Sequence, residues 1–309
     1  MPSLQPKTGI DPQALLAIRD MELRARVVVE GLWAGLHRSP LEGFSVEFTE
    51  YRQYSPGDDL RYLDWKALAR TDREYIKKFE DETNLRCLIV LDTSRSMSFG
   101  SRDYSKSDYA RTLAATFGYF LLQQRDVVGL ALFDSKIRDY LPARWRPGHF
   151  KRLLAMLDRK AEGRETKPAE ALKQTALLSP KRSLILVVSD FLSPPEEWKR
   201  EMGQLIVAGH DVRALQILDP AERNLEFGQA AEWEDLENGN RIYIDPELAR
   251  QNYLSKFNAH QENLKKTLEE LGIRHQIVRT DLPLDFALLE MMRQRGIATR
   301  AQIARRKAG

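Results

Sequence analysis

The chain has 309 residues, 42% of them hydrophobic and 30% charged, with 48 basic against 45 acidic side chains and a net charge of +3. That is enough apolar material for one large core with room for a second small unit, and so even a charge balance gives no reason to expect nucleic acid or an anionic membrane as the main partner. The one cysteine, Cys87, excludes an internal disulfide and fits a reducing compartment as a structural thiol. With no basic-then-apolar leader and no apolar run near the ~20 residues of a bilayer span, a cytoplasmic protein without membrane insertion is expected.

Asp11 as N-cap and Pro12 at the first helical position open a helix predicted to run from Pro12 to about Leu36, burying Leu15, Leu16, Leu23, Val27 and Trp33. Residues 44–84 have a mixed pattern in which Tyr54-Ser55-Pro56-Gly57-Asp58 reads as a turn between extended segments, a small subdomain. From Leu85 onward, apolar strands (Cys87 to Leu91, Val127 to Phe133, Leu184 to Val188, Val212 to Leu218, His275 to Val278) alternate with helices. The helices are predicted near Ser107 to Gln124, Phe150 to Lys160, Pro168 to Leu178, Glu196 to Ala208 and Pro246 to Leu271. The alternation predicts an α/β fold with a doubly wound, mainly parallel sheet, preceded by the small N-terminal helix and mixed β subdomain. Glu237-Asn238-Gly239-Asn240 marks a hairpin turn within Leu225 to Tyr243. The expected division is 1–84 for the N-terminal helix and subdomain, 85–295 for the α/β domain and 296–309 for a basic tail.

The stretch from Leu88 to Met97 carries the most chemistry. An uninterrupted apolar run reads as a strand covered on both faces, and it ends directly in Asp92, Ser94 and Ser96. In open parallel sheets, ligands gather at such strand ends. Gly163-Arg164-Glu165-Thr166 adds a hydroxyl before the helix that starts at Pro168, and the run Leu184 to Val188 ends in Ser189-Asp190, repeating the placement of Asp92. Asp92, Ser94, Ser96, Thr166 and Asp190 thus form an oxygen-only set from three loops, which suits Mg²⁺ or Mn²⁺ better than zinc or copper. The competing reading is that Ser and Asp after strands simply cap the next turn.

These residues resemble a known family. The D-x-S-x-S element at Asp92 to Ser96, Thr166 followed by Ala171-Leu172, and Asp190 are similar to the metal-ion-dependent adhesion site of von Willebrand factor A domains, although Arg164-Glu165 stand where that family usually has a second glycine before the threonine. Arg52-Gln53-Tyr54-Ser55-Pro56-Gly57-Asp58-Asp59-Leu60-Arg61-Tyr62-Leu63-Asp64-Trp65 with Ala69-Arg70 resembles the signature of DUF58 proteins, whose A-type domain follows this block. The resemblance implies hydroxyls of Ser94, Ser96 and Thr166 bound directly to a cation, with Asp92 and Asp190 holding its waters and one open position for a carboxylate from another protein. It further implies a partner of the MoxR-type AAA+ ATPase class and a role as an adaptor, not an enzyme, in assembling or activating protein complexes. The Arg52 to Arg70 block has two readings: a buried ion network with Tyr54, Tyr62 and Trp65 as its core, or a partner surface.

Catalytic readings find less support. Gly100-Ser101-Arg102-Asp103-Tyr104-Ser105-Lys106-Ser107 is one residue from a phosphate-binding loop, but Ser105 replaces the second glycine. The five histidines, His37, His149, His210, His260 and His275, lack ligand or triad spacing, and no G-x-S-x-G elbow occurs. A metal-dependent phosphoester hydrolase is the alternative function; against it, the sequence places no His or Lys beside the carboxylates to act as a base.

Overall fold

A computed structural model describes residues 9–38, 50–53, 75–78, 85–159, 167–225, 231–234, 241–244 and 246–291. The expected ligand Thr166, most of the Arg52 to Arg70 block and the basic tail 296–309 lie outside the described residues. The chain forms two compact units, one of Met1–Gly35 with Leu85–Gly309 and one of Leu36–Asn84. The N-terminal helical segment therefore groups with the larger unit.

Where the sequence predicts one N-terminal helix, the structure has two, α1 (Pro12–Ala17) and α2 (Met21–Arg38). Asp11 caps α1 as expected, its carboxylate accepting the Ala14 N–H at 3.1 Å. The backbone then becomes extended at Ile18, and Asp20 starts a new helix by accepting from the Glu22 and Leu23 N–H groups at 2.8 and 3.1 Å. Arg24 turns back and donates to the carbonyls of Leu16 and Ile18, satisfying the groups that the end of α1 leaves open. This break rotates the buried face: Leu15, Ala25, Val28, Val29 and Leu32 are buried, whereas Leu23 is exposed.

In the smaller unit, β1 (Glu50–Gln53) and β2 (Tyr75–Lys78) pair antiparallel, with Arg52 opposite Ile76. The larger unit runs through β3 (Arg86–Asp92), a 3₁₀ turn at Arg95–Ser98, α3 (Lys106–Gln123), β4 (Val127–Phe133), β5 (Ile137–Arg144) and α4 (His149–Leu157). It continues with α5 (Pro168–Leu178), β6 (Leu184–Ser189), α6 (Pro195–Val207), β7 (Asp211–Leu218) and α7 (Pro220–Asn224). The expected hairpin follows as β8 (Ala231–Glu234) paired with β9 (Arg241–Ile244), then α8 (Pro246–Glu270), β10 (Arg274–Arg279) and a helical segment over 284–291.

Six strands make one sheet in the order β10-β7-β6-β3-β4-β5, parallel except for the antiparallel edge strand β5. The fold is thus the doubly wound, mostly parallel α/β arrangement expected. Helices cover both faces, which explains the unbroken apolar runs. Successive strand residues point to opposite faces: Leu88, Val90, Ile185, Val187 and Ala214 pack with Ala171 and Leu172 of α5, Trp198, Met202 and Leu205 of α6, and Leu264 and Leu268 of α8. Ile89 and Leu91 face the other way, toward α3, which packs over β3 and β4 and carries buried Tyr109, Leu113, Phe117 and Phe120. From β3 the chain winds outward to β4, whereas β6 lies on the other flank of β3. The carboxyl ends of β3 and β6 therefore meet at the point where the strand order reverses, the place that an open α/β sheet reserves for a ligand.

Candidate functional site

Asp92 is the last residue of β3 and Ser189 the last of β6, so the strand pairing alone brings the two loops together. Each oxygen of the buried Asp92 carboxylate accepts a hydrogen bond: Oδ1 from the Ser94 N–H at 2.8 Å and Oδ2 from the Ser189 hydroxyl at 2.6 Å. Ser94 is buried and its Oγ lies 3.1 Å from that of Ser96, which is half-buried on the 3₁₀ turn. Thr93 ties the loop to β4, its N–H and hydroxyl both donating to the Phe133 carbonyl, at 2.7 and 2.8 Å.

The β6 side is held as firmly. Phe191, just past Asp190, has a positive φ of 52°, a conformation that costs energy for a bulky side chain and persists only where its surroundings impose it. Here the ring is fully buried with its centroid 4.4 Å from that of Trp198, and its N–H donates to Ser189 Oγ at 3.1 Å. The same turn carries Asp190, whose backbone carbonyl accepts from the Gln216 amide at 2.9 Å. Ser189, central to both loops, carries no role in the sequence beyond preceding Asp190, because a serine at a strand end has no pattern of its own.

A second feature that the sequence concealed is Lys106. Nothing basic was expected beside the carboxylates; instead this first residue of α3 is fully buried, its Nζ 2.8 Å from Asp190 Oδ2 and 2.5 Å from Glu222 Oε1. Burial works against its charge, but Asp190 and Glu222 outweigh that and raise its pKa. It is a fixed cation and not a base. The same contacts turn its ammonium inward, away from any phosphate-loop role. The only signal in the sequence was a lysine in the first turn of a helix, where the macrodipole disfavours it.

Burial, followed by the charge of Asp190, pushes the Asp92 carboxyl up to about 7, against the hydrogen bonds from Ser189 and Ser94 that favour its anion. An anion so placed is costly unless a positive charge sits beside it. The donor set is two carboxylates and two hydroxyls, all hard oxygen, the donor type that Mg²⁺ prefers. Among the described residues no group of three or more His, Cys, Asp and Glu side chains is placed to hold a metal, so binding here would depend on the serine hydroxyls. Beyond Thr166, the Lys167 N–H donates to the Asp134 carbonyl at 3.1 Å, anchoring the start of α5 to the end of β4. Asp134 itself is engaged by Arg138, whose Nε lies 2.7 and 2.8 Å from its two carboxylate oxygens.

The family profile described as "Protein of unknown function DUF58" matches residues 50–278, well over half of the chain. The chain belongs to the DUF58 family. Its α/β domain is the mostly parallel sheet with flanking helices described above. This DUF58 chain is 28% identical over 276 residues to the uncharacterized protein Rv1480 of Mycobacterium tuberculosis, covering 88% of this chain and 86% of that protein. It is 31% identical over 103 residues to the uncharacterized protein MAV169 of Mycobacterium avium, covering 33% and 59%. Among solved structures it is similar to BatB from Bacteroides thetaiotaomicron (18% identity, TM-score 0.37, 61% of this chain and 98% of that one) and to the SpRpn10 VWA domain (10%, 0.37, 66% and 93%). Likeness at that level says nothing about what this DUF58 chain binds. Among its described residues no helix is long and apolar enough to cross a membrane.

Proposed function

We infer that the chain is a protein-interaction module that docks partners through a divalent cation, Mg²⁺ or Mn²⁺, held by Asp92, Ser94, Ser96, Thr166 and Asp190. The observation that carries this reading is the convergence of the Asp92-Ser94-Ser96 loop with Asp190 at the reversal point of the sheet, with Asp92 buried and its charge costly. Caps of local turns would not require two carboxylates from strands almost a hundred residues apart. When bound, such a cation supplies an electrophilic position that accepts a carboxylate oxygen.

The protein's own groups prepare that position. Ser189 and the Ser94 N–H fix both oxygens of Asp92, so its carboxylate is oriented before any ligand arrives. Trp198 and Phe191 lock the turn that carries Asp190. The partner is a protein presenting an Asp or Glu; the family resemblance adds a MoxR-type AAA+ ATPase as its class and assembly or activation of complexes as the setting.

The test is thermal or urea unfolding of the whole chain with and without MgCl₂ or MnCl₂. A ligand that binds only the folded state stabilises it by about 2.7 kcal/mol at a hundred times its dissociation constant. Wild type should show that increase and Asp92→Ala should not; an equal increase in both proteins would sink the assignment. Metal-dependent phosphoester hydrolysis abolished by Asp92→Ala or Asp190→Ala would favour a hydrolase instead.

A further inference from the structure

The Lys106-Asp190-Glu222 triad joins three elements. Lys106 opens α3, Asp190 follows β6, and Glu222 belongs to α7, where its other oxygen accepts the Asp219 N–H at 3.0 Å. The Lys106 side chain has no exposure, that of Asp190 is 3% exposed and that of Glu222 13%. The Phe99 ring lies 5.9 Å from the ammonium. Both carboxylates thus have the buried ammonium, and not water, as their main partner. A lysine here serves no purpose in starting α3, since Ser105 and Asp108 already form a complete capping box.

We propose that Lys106 is a tethered counter-cation of the candidate metal site, competing with a divalent ion for Asp190 and thereby weakening the site's affinity for metal. This rests on the metal-site reading above. The geometry gives two reasons. Lys106 holds Asp190 Oδ2 at 2.8 Å, which leaves Oδ1, already accepting the Leu192 N–H at 3.3 Å, as the oxygen free of the ammonium. A fixed positive charge beside the site also repels a second cation, and burial leaves that repulsion poorly screened. The consequence is a site that keeps its shape without metal and fills only when the ion is abundant or a partner's carboxylate adds negative charge.

The experiment is calorimetric titration of the full chain with MnCl₂ and MgCl₂, comparing wild type, Lys106→Met and the double variant Lys106→Met/Glu222→Gln. Removing the ammonium should tighten metal binding roughly tenfold or more. The double variant removes one positive and one negative charge, so the net charge of the triad is unchanged and any gain reports the release of Asp190. It also leaves fewer unpaired buried charges, and so provides the test if the single variant does not fold. Tighter binding in both variants, or binding in the variants alone, supports the inference. Wild type that binds metal while the variants bind no tighter would overturn it and leave the metal site intact. A gain in the single variant that vanishes in the double would overturn it as well, reducing the effect to a general field. Failure of all three proteins to bind metal would overturn the metal site itself and the inference with it.

Discussion

At the scale of single residues, Ser189 connects the two halves of the site through one hydroxyl, donating to Asp92 and accepting from the Phe191 N–H. Ser189→Ala leaves both buried groups short of a partner and should cost about 1–3 kcal/mol in urea unfolding without metal; an unchanged midpoint would show that the hydroxyl is not shared in this way. His275 gives a pH signature. Burial lowers its pKa from 6.5 to about 4, and its Nε2 sits 3.1 Å from Gln216 Oε1. The unfolded chain therefore binds more protons between pH 6.5 and 4, so the stability contributed by neutral His275 is complete above 6.5 and is lost as pH falls through that window. Measured in chelator from pH 7 to 4, the unfolding midpoint of wild type should fall relative to that of His275→Gln as the pH drops; parallel curves would contradict this. Asp92, Ser94, Ser96 and Asp190 were legible because each follows an apolar run or belongs to a short motif. Lys106 and Glu222 were not, since their meaning lies in contacts 84 and 116 residues away along the chain.

At the scale of elements, β3, β4 and β6 were readable because burial on both faces writes a continuous apolar run, whereas the other edge strand, β10, is only partly buried and carries just a short apolar signal at Ile277-Val278. Strand β5 was missed for the opposite reason. It is an edge strand whose side chains are only half-buried or exposed and which contains Pro142, tolerated where one side of the strand has no ladder to complete. Its pairing with β4 depends on Gly129, where a Cβ would stand 2.7 Å from Ala143 N and 2.8 Å from Leu141 O. Gly129→Ala should therefore destabilise the chain by about 1–3 kcal/mol, because backbone on the neighbouring strand must yield. Gly203 in α6 offers the contrast. An added Cβ there meets only Leu271 Cδ2 at an ordinary 3.5 Å, and Gly203→Ala should stabilise by about 0.4–1 kcal/mol. Chemical denaturation of the two variants side by side checks both signs. The break between α1 and α2 escaped the sequence reading because Pro12 to Leu36 is rich enough in helix formers to hide Asp20 as a second start signal.

At the scale of the whole molecule, the docking reading predicts that chelation releases the partner and that replacing the partner's bound carboxylate by an amide weakens the complex by about 2–5 kcal/mol, because a desolvated cation is left unpaired. Pull-down with and without chelator, followed by titration of the altered partner, measures both; a complex indifferent to chelator would remove the cation from the interface. What the sequence by itself determined was the α/β class, the doubly wound sheet and the carboxylates at two strand ends, because burial patterns and strand termini are local properties of the chain. Only the tertiary structure decided that β6 lies beside β3, that Ser189 joins their ends, and that a buried lysine from α3 stands against Asp190. Those are long-range pairings, set by strand order and by the need of each buried charge for an opposite one.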